Sequence, residues 1–143
     1  PIYDKNDLVE SLMFIVEDIT EFELFYKEAK TQWVTIPSNG AITENTLLMT
    51  QEILCECPTL FLTIQVSIDS LHGEHDESRK TPGGFVALTK TLQGLSRLRK
   101  QYKNLRIQIA TCYSEFNVHR IPEIIKYCQD HFEYDQQIFY LIQ

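Results

Sequence analysis

The segment Leu60–Asp69 most restricts how this chain can fold. It has no Gly or Pro and is rich in β-branched and aromatic residues, so it reads as a strand. Leu60, Leu62, Ile64, Val66 and Ile68 alternate along it with Phe61, Thr63, Gln65, Ser67 and Asp69, which sends the two sets to opposite faces. Asn104–Thr111 repeats the pattern, with Leu105, Ile107 and Ile109 opposing Arg106 and Gln108. A parallel strand covered by helices on both sides is nearly continuously apolar, and these two are not. One face is therefore expected to pack on helices, and the other to line a polar cavity, as in an open or wide barrel.

The rest of the chain supplies helices between strands. Leu8, Leu12, Ile15, Ile19 and Phe22 form one apolar stripe, which predicts a first helix from about Asp7 to Lys30. Trp33–Pro37 reads as a short strand stopped by Pro37 and the turn Ser38-Asn39-Gly40. Thr43 is placed as the N-cap of a second helix running through Leu54 and ended by Pro58. A polar loop is expected over Ser70–Gly84, then a third helix with Phe85, Leu88, Leu92, Leu95 and Leu98 on one side. Pro122 opens a fourth helix that buries Ile121, Ile124, Ile125, Cys128 and Phe132, and Gln136–Ile142 reads as the last strand.

Four strands separated by three helical crossovers fit right-handed βαβ units with parallel strands. The expected fold is α/β, a single domain over residues 1–143, 43% hydrophobic and large enough for a real core. With a helix so close to the start, the sheet edge near Val34 and Ile36 is expected to be unpaired. Because the chain begins at Pro1 without an initiator Met, it reads as a piece of something longer.

A net charge of -7 argues against a duplex nucleic-acid partner. The basic cluster Arg97, Arg99, Lys100 and Lys103 is taken as a solvated helix face. Nothing approaches the apolar length of a membrane span or a secretory leader, so no membrane partner is expected. Cys55, Cys57, Cys112 and Cys128 match neither a disulfide framework nor a C-x-x-C site, which points to reduced thiols in the cytoplasm.

Ligands of parallel α/β folds sit at the carboxyl ends of strands. Ser67 and Asp69 lie there on the polar face, and the turn residues Ser38 and Asn39 lie at the same end. Each also has a plainer role, capping a strand or ordering a turn.

Several of these segments resemble the middle and end of the radical S-adenosylmethionine (radical SAM) core domain. They are "DLVE" near the start, "IPSNGAITEN", "VSIDSLHGEHDESRKTPGGFVALTKTLQGL" and "NLRIQIATCYSEFNVHRIPEIIKYC". The most specific element is Ser67-x-Asp69 followed by His75-Asp76-x-x-Arg79 and then Gly84-Phe85 opening a helix. By similarity, the subgroup is the one that modifies peptides and natural products and carries auxiliary clusters.

The resemblance implies a parallel four-stranded part of a (β/α)6 partial TIM-like barrel. It also implies a [4Fe-4S] cluster on a Cys-x-x-x-Cys-x-x-Cys loop, which cleaves S-adenosylmethionine to a 5′-deoxyadenosyl radical. That motif occurs nowhere in this chain, nor does the family's Gly-Gly-Glu segment. Both would precede Pro1 in relatives, so the isolated chain is expected to be inactive and to supply walls for the cofactor and for a small-molecule or peptide substrate.

The resemblance assigns cofactor-binding roles to Ser38, Asn39, Ser67, Asp69, Arg79 and Leu141. Ser67 would contact ribose or carboxylate, and Leu141 with Ile142 would press on adenine. Asp69 would more readily order the following loop, and Arg79 would pair with a carboxylate of the cofactor, of Asp69 or of Asp76. His75 and Asp76 are expected to order the loop, and Cys112 to be a small buried hydrophobe. The alternative function is a non-catalytic, radical SAM-like module that binds a nucleoside or peptide. An aldolase-like barrel would want a strand-end Lys or paired carboxylates, and neither is found.

Overall fold

A computed structural model describes residues 12–13 and 19–141. Five strands make one sheet: β1 (Leu12–Met13), β2 (Trp33–Ser38), β3 (Phe61–Ser67), β4 (Leu105–Tyr113) and β5 (Gln136–Leu141). They lie in sequence order and every neighbouring pair is parallel. The helices are α1 (Ile19–Ala29), α2 (Thr43–Glu56), α3 (His72–Arg79), α4 (Gly84–Gln101) and α5 (Ile121–His131). The chain is thus an α/β protein with an all-parallel sheet.

Sequential order puts successive right-handed crossovers on one side of the sheet. The core agrees. Val34, Ile36, Leu62, Ile64, Val66, Leu105, Ile107 and Ile109 bury into one cluster with Phe22 of α1, Ile53 of α2, Leu88 and Leu92 of α4 and Ile124 of α5. The register keeps this set together, pairing Ile36 with Ile64 and Ile64 with Ile107. The opposite parity, Trp33, Thr35, Phe61, Thr63, Gln65, Ser67, Arg106, Gln108, Ala110 and Cys112, faces away from those helices. At its amino end Trp33 stacks on Phe61 with centroids 4.3 Å apart.

Three expectations are corrected. Leu12 and Met13 are strand, not helix, and pair with Val34 and Thr35, so that part of the β2 edge is covered. Their apolar spacing satisfies a helical stripe equally well, which hid the strand. The earlier residues of the proposed stripe, including Leu8, lie outside the described residues. The supposed loop after β3 contains α3. Of its eight residues only His75 is buried, so no stripe betrays it. Thr43 is the first helical residue and not the cap. Its hydroxyl instead donates to the Ala87 carbonyl of α4 at 3.0 Å.

Candidate functional site at the carboxyl ends of the strands

Ser67 ends β3, in register with the small Ala110 of β4 and, one strand further, Ile138 of β5. Among the described residues its hydroxyl has no hydrogen-bond partner. His75 Nδ1 is the only buried side-chain polar atom without one among the described residues, so the Ser67 oxygen reaches solvent. A hydroxyl in that position can both donate to and accept from a ligand.

Asp69 is occupied on both oxygens. Oδ1 accepts from the Cys112 N–H at 2.7 Å, and Oδ2 pairs with the Arg79 guanidinium. Of the carboxylates open to Arg79, the fold selects that of Asp69. Asp76 turns the other way: Oδ2 accepts from the Gly83 N–H and Oδ1 from the Phe85 N–H, each at 2.7 Å. These N–H groups begin α4 and would otherwise lack partners. Asp76 therefore caps α4 from α3, a role that fits its position in the His-Asp-x-x-Arg run.

His75 packs edge-on against Phe85 with centroids 5.6 Å apart. Burial holds its imidazole below the usual range, and Arg79 adds to the effect, while Asp69, Asp76 and a hydrogen bond with the Ser70 backbone oppose it. It lies in α3, the helix that takes the place of the expected loop. Cys112 is half-buried, and burial followed by the nearby Asp69 carboxylate pushes its thiol up. It is a poor nucleophile in this setting.

Ser38 and Asn39 each lend one acceptor to the turn that follows β2. Ser38 Oγ accepts from the Gly40 N–H and Asn39 Oδ1 from the Ala41 N–H, both at 3.0 Å. Ser38 is also in register with Val66, on the helix-covered parity. Leu141 pairs with Tyr113, two residues on from Thr111, and so has the parity opposite to Ser67. It is 66% exposed. The structure thus gathers Ser67, Asp69 and Arg79 with Cys112, and leaves Ser38, Asn39 and Leu141 apart from them. Ile142 lies outside the described residues.

Two site residues escaped the sequence. Asn117, only 2% exposed, donates from Nδ2 to the carbonyls of Asp69 and Cys112 and accepts from the Ser114 N–H. Arg120 forks onto Glu123 and reaches Glu74 of α3, while Ser70 also bonds Glu74. The turn spacing Ser114-x-x-Asn117 was the available signal for the first. The second depends on a contact across 46 residues and left no local trace.

The cysteines do not fit an iron–sulfur cluster. Cys57 and Cys128 are buried, and burial pushes Cys128 up to about 12, far from the thiolate that iron needs. Among the described residues no group of three His, Cys, Asp or Glu could hold a metal ion. No described helix is long and apolar enough to cross a membrane.

Among the described residues the chain is a parallel α/β protein with helices packed on one side of its sheet and polar side chains at the strand ends of the other. No family model and no curated protein matches the chain.

Proposed function

We propose that this chain is part of a radical SAM enzyme, forming walls that hold S-adenosylmethionine and a substrate for hydrogen abstraction by a 5′-deoxyadenosyl radical. The Ser67 hydroxyl, without a partner among the described residues and on the sheet face opposite the described helices, at the end where parallel α/β folds bind ligands, carries the reading. Sequential parallel strands with helices on one side are what a segment of a (β/α)6 barrel would have. When bound, the cluster would supply the electron that cleaves the cofactor. The ligands for it are not among these residues, and the chain alone is inactive.

Within this reading, Ser67 bonds the ribose or carboxylate of the cofactor. Asp69 and Arg79 act through each other, tying the end of α3 to the segment just after β3. The free thiols and the absence of charge-matched features for nucleic acid favour a cytoplasmic enzyme acting on a small molecule or peptide.

The test is an extended protein carrying the residues encoded upstream, reconstituted anaerobically with iron and sulfide. Formation of 5′-deoxyadenosine is expected. A reconstituted protein with neither cluster absorbance nor that product would overturn the proposal. The misfit of the four cysteines to a cluster favours one second reading, a non-catalytic module that binds the nucleoside and stops there. Saturable binding of S-adenosylmethionine without any upstream cysteine motif would support it.

A further inference from the structure

The fold divides the basic cluster of α4. Arg99 is engaged by Asp135 at 2.9 Å and by Glu133 at 3.9 Å. Arg97 and Lys100, spaced i and i+3 on one face of the helix, have no hydrogen bond or ion pair among the described residues. Both edge a cavity of about 250 Å³ between α4 and the end of α5. Ser96 lines it from the α4 side, and His131 and Glu133 from the other. The buried Leu92 and Phe132 give it an apolar floor. Because α4 and α5 end just before β4 and β5 begin, the cavity lies toward the amino ends of the strands, away from Ser67.

Its walls carry an excess of positive charge. The Ser96 hydroxyl bonds Glu133 and, with Lys100 and then Arg99 nearby, holds that carboxyl below its usual range. The one carboxylate in the wall is therefore already met, and Arg97 has no countercharge of its own among the described residues. Two helix carboxyl ends lie close by and would repel an anion, but several of their carbonyls are taken. Leu98 accepts from the Tyr102 N–H at 2.8 Å, Cys128 from the Phe132 N–H at 3.0 Å, and Tyr127 from His131 Nδ1 at 2.9 Å. Stacking of His131 on Tyr127, centroids 4.0 Å apart, holds that wall in place. Lys100 has the plainer task of offsetting the negative end of α4, whereas Arg97 lies outside the last turn.

A guanidinium fork beside an ammonium suits an oxyanion. A bare inorganic ion would give up water to the hydrocarbon of Leu92 and Phe132, so the better fit is an oxyanion on a short apolar body. A volume of about 250 Å³ restricts that body to a small one. We propose that this cavity is a binding site for a small organic anion, a carboxylate or phosphate monoester with a short apolar skeleton. It is separate from the Ser67 site, and neither reading depends on the other.

The experiment titrates the whole chain, labelled with 15N, with phenyl phosphate, benzoate, inorganic phosphate and benzyl alcohol at constant ionic strength. The backbone amides of Ser96, Arg97, His131 and Glu133 are expected to move saturably with phenyl phosphate or benzoate, and the tighter of the two identifies the oxyanion. Inorganic phosphate and benzyl alcohol should each bind about tenfold more weakly. Arg97→Gln should weaken binding of the organic anion about tenfold, the equivalent of one lost charge-assisted hydrogen bond. Lys100→Gln should act in the same direction, and Lys103→Gln, outside the cavity, should change nothing.

No saturable movement with either organic anion at millimolar concentration would overturn the proposal. So would benzyl alcohol or inorganic phosphate binding as tightly, an Arg97→Gln protein that binds like wild type, or an equal loss in Lys103→Gln, which would mean diffuse attraction. Movement confined to the Ser67 and Asp69 amides would place the anion elsewhere and overturn it too.

Discussion

The carboxamide of Asn117 donates to the carbonyls of Asp69 and Cys112, each at 2.8 Å, and so ties the ends of β3 and β4 to one loop. Its own oxygen takes the Ser114 N–H at 3.0 Å, which completes the side chain's partners from three different backbone groups. Asn117→Ala would leave those groups unpaired in a buried place. A loss of about 3 kcal/mol is expected in urea unfolding. A loss below about 1 kcal/mol would mean that water replaces the amide at little cost.

His75 makes the fold sensitive to mild acid. Its folded-state pKa lies below the ordinary 6.5 because of burial, so the folded protein resists a proton that the unfolded chain accepts. The stability it lends is present above pH 6.5 and is lost as pH falls from there through the lowered value. Asp69, Asp76 and Arg79 are the charged groups that act on it. Urea midpoints at pH 7.5 and 5.5 should differ more in wild type than in His75→Phe. Equal differences would place the acid sensitivity elsewhere.

Much of this architecture was legible because burial on one side only imposes a period of two, and Leu60–Asp69 and Leu105–Ile109 carry it plainly. The helices α2, α4 and α5 likewise announce themselves through Leu54, Leu92 and Ile124. What stayed hidden depends on distance in sequence. Asp76 gains its role only when α4 begins beside it, and Asn117 only when two strand ends meet. Ser38 and Asn39 carry hydroxyl and amide groups at the right end of a strand, and a turn of their own takes one acceptor from each. A sequence shows which groups are available, and the fold determines which remain unspent.

Gly40 marks where that turn touches α4. It sits at φ 69°, and an added Cβ would come within 3.2 Å of the Leu88 Cα. Thr91 Oγ1 also donates to its carbonyl at 2.8 Å. Gly40→Ala combines left-handed backbone strain with a contact against main chain that cannot swing aside. A cost of about 1–3 kcal/mol is expected from the shift in thermal midpoint. An unchanged midpoint would show that the turn relaxes freely.

The cysteines should report their environments in order. Cys55 is exposed, Cys112 is half-buried, and Cys57 and Cys128 are buried. Iodoacetamide at pH 8 is expected to label Cys55 first and Cys112 slowly, and the other two only in denaturant. Mass spectrometry of timed digests would show it. Early labelling of Cys128 would contradict its place in the core.

The account depends on Ser67 having an unspent hydroxyl where a nucleoside cofactor can reach it, and calorimetric titration of S-adenosylmethionine into the chain tests that most directly. Saturable one-to-one binding is predicted, weakened about tenfold by Ser67→Ala, which removes one polar contact. Ser38→Ala, on the other parity, should leave the affinity unchanged. No saturable heat, or a Ser67→Ala protein that binds as tightly as wild type while melting at the same temperature, would contradict it.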